Sequence, residues 1–200
     1  TPDATGWKEP PYTTHPMWSF VDVSDGTHGL AVVNDGLTEY EVVDDAQRTI
    51  AITLLRTFGK FYFERPTPGS QCLGEHTYGF LLVPHTGTWR DADLFAHVAD
   101  LTVPPPAILS APTRGNQPAR RSLLRVSPGG VVSGVKQSED GKSLVVRLWN
   151  PLDEEQQVTI DTGLPMRRAQ RLTLEERPIE RLAFRRGTLT LAVPAKRIET

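Results

Sequence analysis

The chain is poor in cysteine: Cys72 stands alone among 200 residues. An internal disulfide framework is therefore excluded, and a lone thiol of this kind is expected to be buried and inert. Net charge is also scarce. With 22 basic and 24 acidic residues the formal charge is −2, which offers nucleic acid no overall electrostatic attraction. Long apolar runs are missing too. Stretches such as Leu144, Val145 and Val146 fall far short of the roughly 20 residues that a membrane-spanning helix requires. The chain opens on Thr1 with neither a basic nor an apolar leader segment, as a cut piece or processed product would.

Local catalytic signatures are equally sparse. There is no GxxxxGK[ST] phosphate loop, no GxGxxG following a strand, no GxSxG elbow, no HExxH and no paired-cysteine motif. The five histidines are His15, His28, His76, His85 and His97. None stands three to five residues from another, so no local zinc motif exists. His76 and His85 flank a predicted strand, where packing and hydrogen bonding near strand ends is the expected role and a shared site the alternative.

Turn formers are abundant, with 17 prolines and 16 glycines. The charge is also unevenly placed. Residues 1–100 hold six basic and fourteen acidic side chains, net −8, and residues 101–200 hold sixteen and ten, net +6. The halves meet at VPPPAILSAPTRGNQPAR, residues 103–120, whose five prolines mark a semi-rigid linker. Two modules follow, over residues 1–112 and 121–200. The first reads as a meander of short strands at 20–23, 29–33, 38–43, 48–56 and 77–83, with Asp25-Gly26 and Asn34-Asp35-Gly36 as turns and Pro84 ending the last. A helix is predicted over 89–101, capped by Thr88 with Asp91 as its capping-box partner. The second module reads as strands at 122–126, 131–136, 144–149, 157–161, 171–174, 179–184 and 188–193, with residues 197–200 resembling the start of a closing strand. The fold class is all-β, two β-sandwich-type modules with one short helix.

Carboxylates at Asp22, Asp25, Asp35, Glu39 and Glu75 lie in or near turns, where capping is their ordinary role. Aromatic residues able to stack on sugar rings are Trp7, Tyr12, Trp18, Tyr40, Tyr78 and Trp89. Trp89 is expected to pack on the sheet and Tyr40 to be exposed. The adjacent pairs Arg120-Arg121, Arg167-Arg168 and Arg185-Arg186 read as solvated strand edges.

Four ordered segments carry a family resemblance. The first runs from Phe20 through Asn34-Asp35-Gly36 to Tyr40. The second is Leu54-Leu55-Arg56. The third is Gly74-Glu75-His76-Thr77-Tyr78 followed by Pro84-His85, Gly87 and Trp89. The fourth is Lys136, Asp140-Gly141 and Val145-Val146-Arg147-Leu148-Trp149-Asn150. Together, over about residues 17–200, they resemble the C-terminal region of family 38 glycoside hydrolases, the α-mannosidases. The resemblance implies retaining hydrolysis of α-mannosides by the parent protein. It implies a missing N-terminal catalytic domain, which would carry the aspartate nucleophile and the zinc ligands. This fragment would then hold no catalytic residue, metal ligand or cofactor of its own and be inactive alone. It would pack on the catalytic domain and complete the carbohydrate cleft. Asn34, Asp35, Glu39 and Tyr40 are the candidates for reaching that cleft, the alternative being that they only form a turn. A free-standing carbohydrate-binding module and a protein–protein interaction module, the latter suggested by the charge split, are the competing functions. A cytoplasmic location is the expectation.

Overall fold

The computed structural model describes residues 5–6, 8, 11–61, 65–111 and 114–200. They form two compact units, residues 1–110 and 111–200.

The first unit contains β1 (His15–Pro16), β2 (Phe20–Ser24), β3 (His28–Asp35), β4 (Glu39–Val42), β5 (Ile50–Ile52), β6 (Lys60–Phe61), β7 (Arg65–Pro66), a 3-10 turn (Pro68–Gln71), β8 (Gly79–Thr86) and α1 (Leu94–Thr102). Two three-stranded antiparallel sheets dominate, ordered β1-β4-β5 and β2-β3-β8. Directly paired residues share a sheet face. Val21, Val32 and Leu82 are paired in this way across β2, β3 and β8. Val21 and Val32 form a core with Met17 and Leu37, against which Tyr40, Val42, Ile50 and Ile52 of the other sheet pack. The opposite face of β2 carries Phe20, whose ring lies 5.3 Å from Phe95 of α1 and 6.2 Å from Trp89. Trp89 thus packs on the sheet as expected.

Several boundaries differ from the sequence reading, each for a local reason. The helix begins at Leu94, because Asp93 adopts a left-handed backbone (φ 47°) that interrupts helical geometry. The Thr88 and Asp91 pair does form. Thr88 donates its backbone N–H and its hydroxyl to Asp91 Oδ2 at 2.8 and 2.9 Å, but these bonds close a turn ahead of the helix. Pro84 does not end β8; it lies within it, opposite Leu30. Among the described residues β8 is an edge strand, and proline is compatible with an edge when its nitrogen faces away from the ladder. Asn34 and Asp35 are strand residues, paired with Phe80 and Gly79, and the turn is made by Gly36 at φ 86°. The 48–56 strand shrinks to Ile50–Ile52, since β4 offers only a short partner and Arg48 is left-handed at φ 52°. Cys72 is exposed, not buried, because it caps the short 3-10 turn in a left-handed conformation.

The second unit contains β9 (Leu124–Val126), β10 (Val131–Gln137), β11 (Leu144–Trp149), β12 (Gln156–Thr162), β13 (Ala169–Leu172), β14 (Pro178–Leu182), β15 (Thr188–Val193) and β16 (Ile198–Glu199). Its sheets are ordered β15-β12-β9, β10-β11-β16 and β13-β14, all antiparallel. Val158 and Ile160 of β12 pair with Leu191 and Leu189 of β15. This apolar row packs with Leu148 and Val146 of β11 and with Met166, Leu182 and Phe184. The result is a sandwich core. The predicted closing strand is β16, which pairs with the end of β11 through Leu148 opposite Glu199 and Trp149 opposite Ile198. Arg120, Arg121, Arg167, Arg168, Arg185 and Arg186 are exposed; all but Arg185 occupy loops and turns, and Arg185 forms an isolated bridge with Thr188 at the start of β15.

Asn150, fully buried at the end of β11, ties this unit together. Its Nδ2 donates to the carbonyls of Glu154, Val193 and Pro194 at 2.9–3.1 Å, and its Oδ1 accepts from Leu152 N–H at 2.9 Å. A buried amide with both ends bonded fixes three chain segments at once.

Candidate functional site

The β1-β4-β5 sheet places two of the four candidate side chains, Glu39 and Tyr40. β1 pairs with β4 so that His15 lies opposite Tyr40 and Pro16 opposite Glu39. A shallow cleft of about 320 Å³ opens here, lined by Tyr12, Thr14, His15, Pro16, Thr38, Glu39 and Arg56. Glu39 is its acidic centre. Its Oε1 accepts from Thr53 Oγ1 at 2.6 Å and from Arg56 Nη2 at 2.7 Å. The Thr53 hydroxyl first, and the Arg56 guanidinium second, hold the Glu39 carboxyl below its ordinary range. A carboxylate kept ionised in this way is a hydrogen-bond acceptor and a poor proton donor. Beyond His15, a second shallow cleft of about 240 Å³ is lined by Thr13, Glu41, Val42, Asp44 and Arg48, with Arg48 and Asp44 ion-paired.

The four candidate residues are not brought to one surface. Glu39 lines the first cleft. Asp35 is exposed at the end of β3. Tyr40, expected to be exposed, is half-buried, because its ring packs on the Met17, Val21, Val32 and Leu37 core and lies 5.9 Å from His15. Asn34 is buried, 1% exposed, and neither atom of its side-chain amide has a partner. Of the aromatic candidates, Tyr12 (77%) and Trp18 (93%) are the exposed ones, and Trp7 lies outside the described residues. Asp25 caps the β2–β3 turn, its Oδ1 accepting from Thr27 and His28 N–H at 2.8 Å.

Sequence reasoning missed a buried acid–imidazole pair. His85 Nε2 lies 2.7 Å from Asp22 Oδ1, with the two side chains 5% and 8% exposed. Ser24 Oγ donates to Asp22 Oδ2 at 3.0 Å. A serine, a histidine and an aspartate meet here, but the serine bonds the carboxylate and not the imidazole, so no nucleophile is activated. The pair is a structural clasp. His76 takes different partners: its Nε2 bonds the Cys72 carbonyl at 2.7 Å and its ring stacks on Tyr78. Among the described residues no group of three or more His, Cys, Asp or Glu side chains is placed to hold a metal ion. No helix among them is long and apolar enough to cross a membrane.

A two-sheet first unit with a shallow cleft beside Glu39 and a sandwich second unit define a β-rich chain of two units. The comparisons give it a family. Residues 131–200 match the family model described as the glycosyl hydrolases family 38 C-terminal beta sandwich domain. Over 187 residues, 91% of the chain, it is 33% identical to a protein of Halalkalibacterium halodurans that carries the name of a mannosylglycerate hydrolase. It is 28% identical over 169 residues, 81% of the chain, to human alpha-mannosidase 2C1. The solved structure of an alpha-mannosidase from Enterococcus faecalis V583 superposes on 96% of the chain with a TM-score of 0.76 at 25% identity. The chain belongs with the C-terminal β-domains of glycoside hydrolase family 38. It spans 20% of the length of the first relative, 15% of the second and 21% of the solved chain.

Proposed function

We propose that these residues are the non-catalytic β-rich part of a longer glycosidase that hydrolyses α-mannosides, and that they pack on its catalytic domain and wall the carbohydrate cleft. The observation that carries this reading is the state of the carboxylates. Retaining and inverting glycosidases need two carboxyl groups across the scissile bond, one of them able to donate a proton. Here Asp22 is sealed against His85, and Glu39 is held ionised by Thr53 and Arg56. Glu39 held in this way is an acceptor for a sugar hydroxyl and a poor proton donor, and Asp22 is closed off from a sugar by its burial. The zinc that the family resemblance implies does not fit the described residues, so it would be held in the catalytic domain. In this reading the cleft beside Glu39 and the exposed Asp35 contribute polar walls that orient substrate and exclude water.

The test is turnover of an aryl α-mannoside by the longer enzyme and by this 200-residue chain alone. Activity confined to the longer enzyme is the expected result, and turnover by the chain alone would overturn the reading. The exposure of Tyr12 and Trp18 favours a second reading, a free-standing carbohydrate-binding module. Calorimetry of the isolated chain with mannose oligosaccharides separates the two, since a docking module gives no heat of binding.

A further inference from the structure

The β2-β3-β8 sheet has an unfinished edge. Among the described residues β8 pairs only with β3. Strand edges that face solvent permanently are blunted with charge, proline, bulges or extreme shortness. β8 has one of these, Pro84 near its end, and none over Gly79 to Val83. It is eight residues long, reads Gly-Phe-Leu-Leu-Val-Pro-His-Thr, and carries no Lys, Arg, Asp or Glu. Apolar side chains are exposed on both faces, Val83 alone among them being half-buried. Leu82 (61% exposed), Phe80 (48%) and Pro84 share one face with Leu30 of β3, and Leu81 is exposed on the other.

The direction of its backbone groups follows from the proline. Pro84 has no N–H, so its nitrogen occupies a position facing away from β3. Strand alternation then turns the N–H and C=O groups of Phe80 and Leu82 outward as well, while those of Leu81 and Val83 serve the β3 ladder. Gly87 fits the same alternation, since its N–H turns inward and donates to the Thr27 carbonyl at 2.9 Å. The outward edge therefore offers donors at Phe80 and Leu82 and loses the next one at Pro84.

We propose that this edge seats a β-strand from the part of the longer protein that lies outside these 200 residues, added as a fourth strand alongside Gly79 to Val83. The proposal rests on the docking reading above and names the seat. The relatives that the chain matches are several times its length, the chain spanning 15–20% of them, so ample polypeptide exists to supply the strand. The occupant is an apolar strand, because only apolar side chains meet Phe80 and Leu82 without burying an unpaired charge. Pro84 sets the limit of the pairing.

The test is amide hydrogen exchange on the longer protein and on the isolated chain. In the longer protein the Phe80 and Leu82 amides should exchange at least about tenfold more slowly than in the isolated chain. Leu82→Pro deletes an outward donor and leaves the β3 ladder intact. It should restore fast exchange at Phe80 in the longer protein, whereas Leu82→Ala, which keeps the donor, should not. Slow exchange appearing elsewhere on the chain while Phe80 and Leu82 stay fast would overturn the seat and leave the docking reading standing. No difference anywhere between the two proteins would overturn both. Protection of Phe80 that rises with concentration of the isolated chain would assign the edge to a second copy and overturn the proposal.

Discussion

His85 reaches over Gly29 to Asp22, joining β8 to β2 across the strand between them. Its Nε2 lies 2.7 Å from Asp22 Oδ1. Gly29 is paired with His85 on one side and Ser24 on the other. A Cβ at residue 29 would fall 2.6 Å from His85 Nε2 and 2.7 Å from Ser24 Cβ. The glycine here supplies space, not an unusual backbone conformation.

Gly29→Ala should therefore act like loss of the histidine. His85→Ala and Gly29→Ala are each expected to destabilise the first unit by about 3 kcal/mol, the cost of stranding one partner of a buried pair. The double variant should be no less stable than the worse single variant, since both changes break one contact. Urea unfolding of the four proteins measures this, and additive losses would show that Gly29 acts by some other route.

Asn150 gives a prediction for the second unit. Asn150→Ala leaves the carbonyls of Glu154, Val193 and Pro194 and the N–H of Leu152 without their side-chain partner. A loss of about 2–3 kcal/mol is expected. Asn150→Asp should also destabilise, because a carboxylate would turn an acceptor toward those three carbonyls. Thermal unfolding of residues within the 200-residue chain reads both.

The pH dependence has a definite sign at Glu176. Lys136 first, and the Glu139 backbone N–H second, hold the Glu176 carboxyl below its ordinary value of 4.5. A depressed folded-state value means that the stabilisation is present above the ordinary value and is lost as pH falls through the lower one. Glu176→Gln should thus cost stability near neutrality and narrow the gap between variant and wild type between about pH 5 and 2. Urea midpoints across that range check the trend. A gap that widens on acidification would contradict it.

If the longer protein is the proposed glycosidase, Asp35 and Glu39 make separable predictions in it. Asp35 is exposed, so Asp35→Ala should leave unfolding unchanged and lower turnover by about tenfold if one hydrogen bond to substrate or cleft is lost. Glu39→Gln should reduce both turnover and stability, since the carboxylate also anchors Thr53 and Arg56. Unchanged kinetics for both variants would remove them from the cleft wall.

Much of the fold is legible in the residues because it is local. Leu144 to Trp149 and Thr188 to Val193 alternate cleanly between turn formers, and both become strands at those bounds. Where the reading fails, a tertiary or backbone condition intervenes. The helix start depends on the left-handed Asp93, and the fate of Pro84 depends on β8 lying at an edge. The candidate site is less legible still. Asp22 and His85 are 63 residues apart and Glu39 and Arg56 are 17 apart. Strand register brings the first pair together and the stretch that follows β5 the second, and the clue to the first, a glycine opposite a histidine, means something only once that register is known.

The two buried asparagines carry a practical consequence for dissecting the protein. Every polar end of Asn150 is matched from within residues 111–200, whereas Asn34 keeps an unmatched amide inside the first unit, beside a sheet with an open edge. Residues 111–200 are accordingly the piece to express alone for crystallisation or spectroscopy. Residues 1–110 are the piece whose yield should depend on co-expression with the remainder of the longer protein.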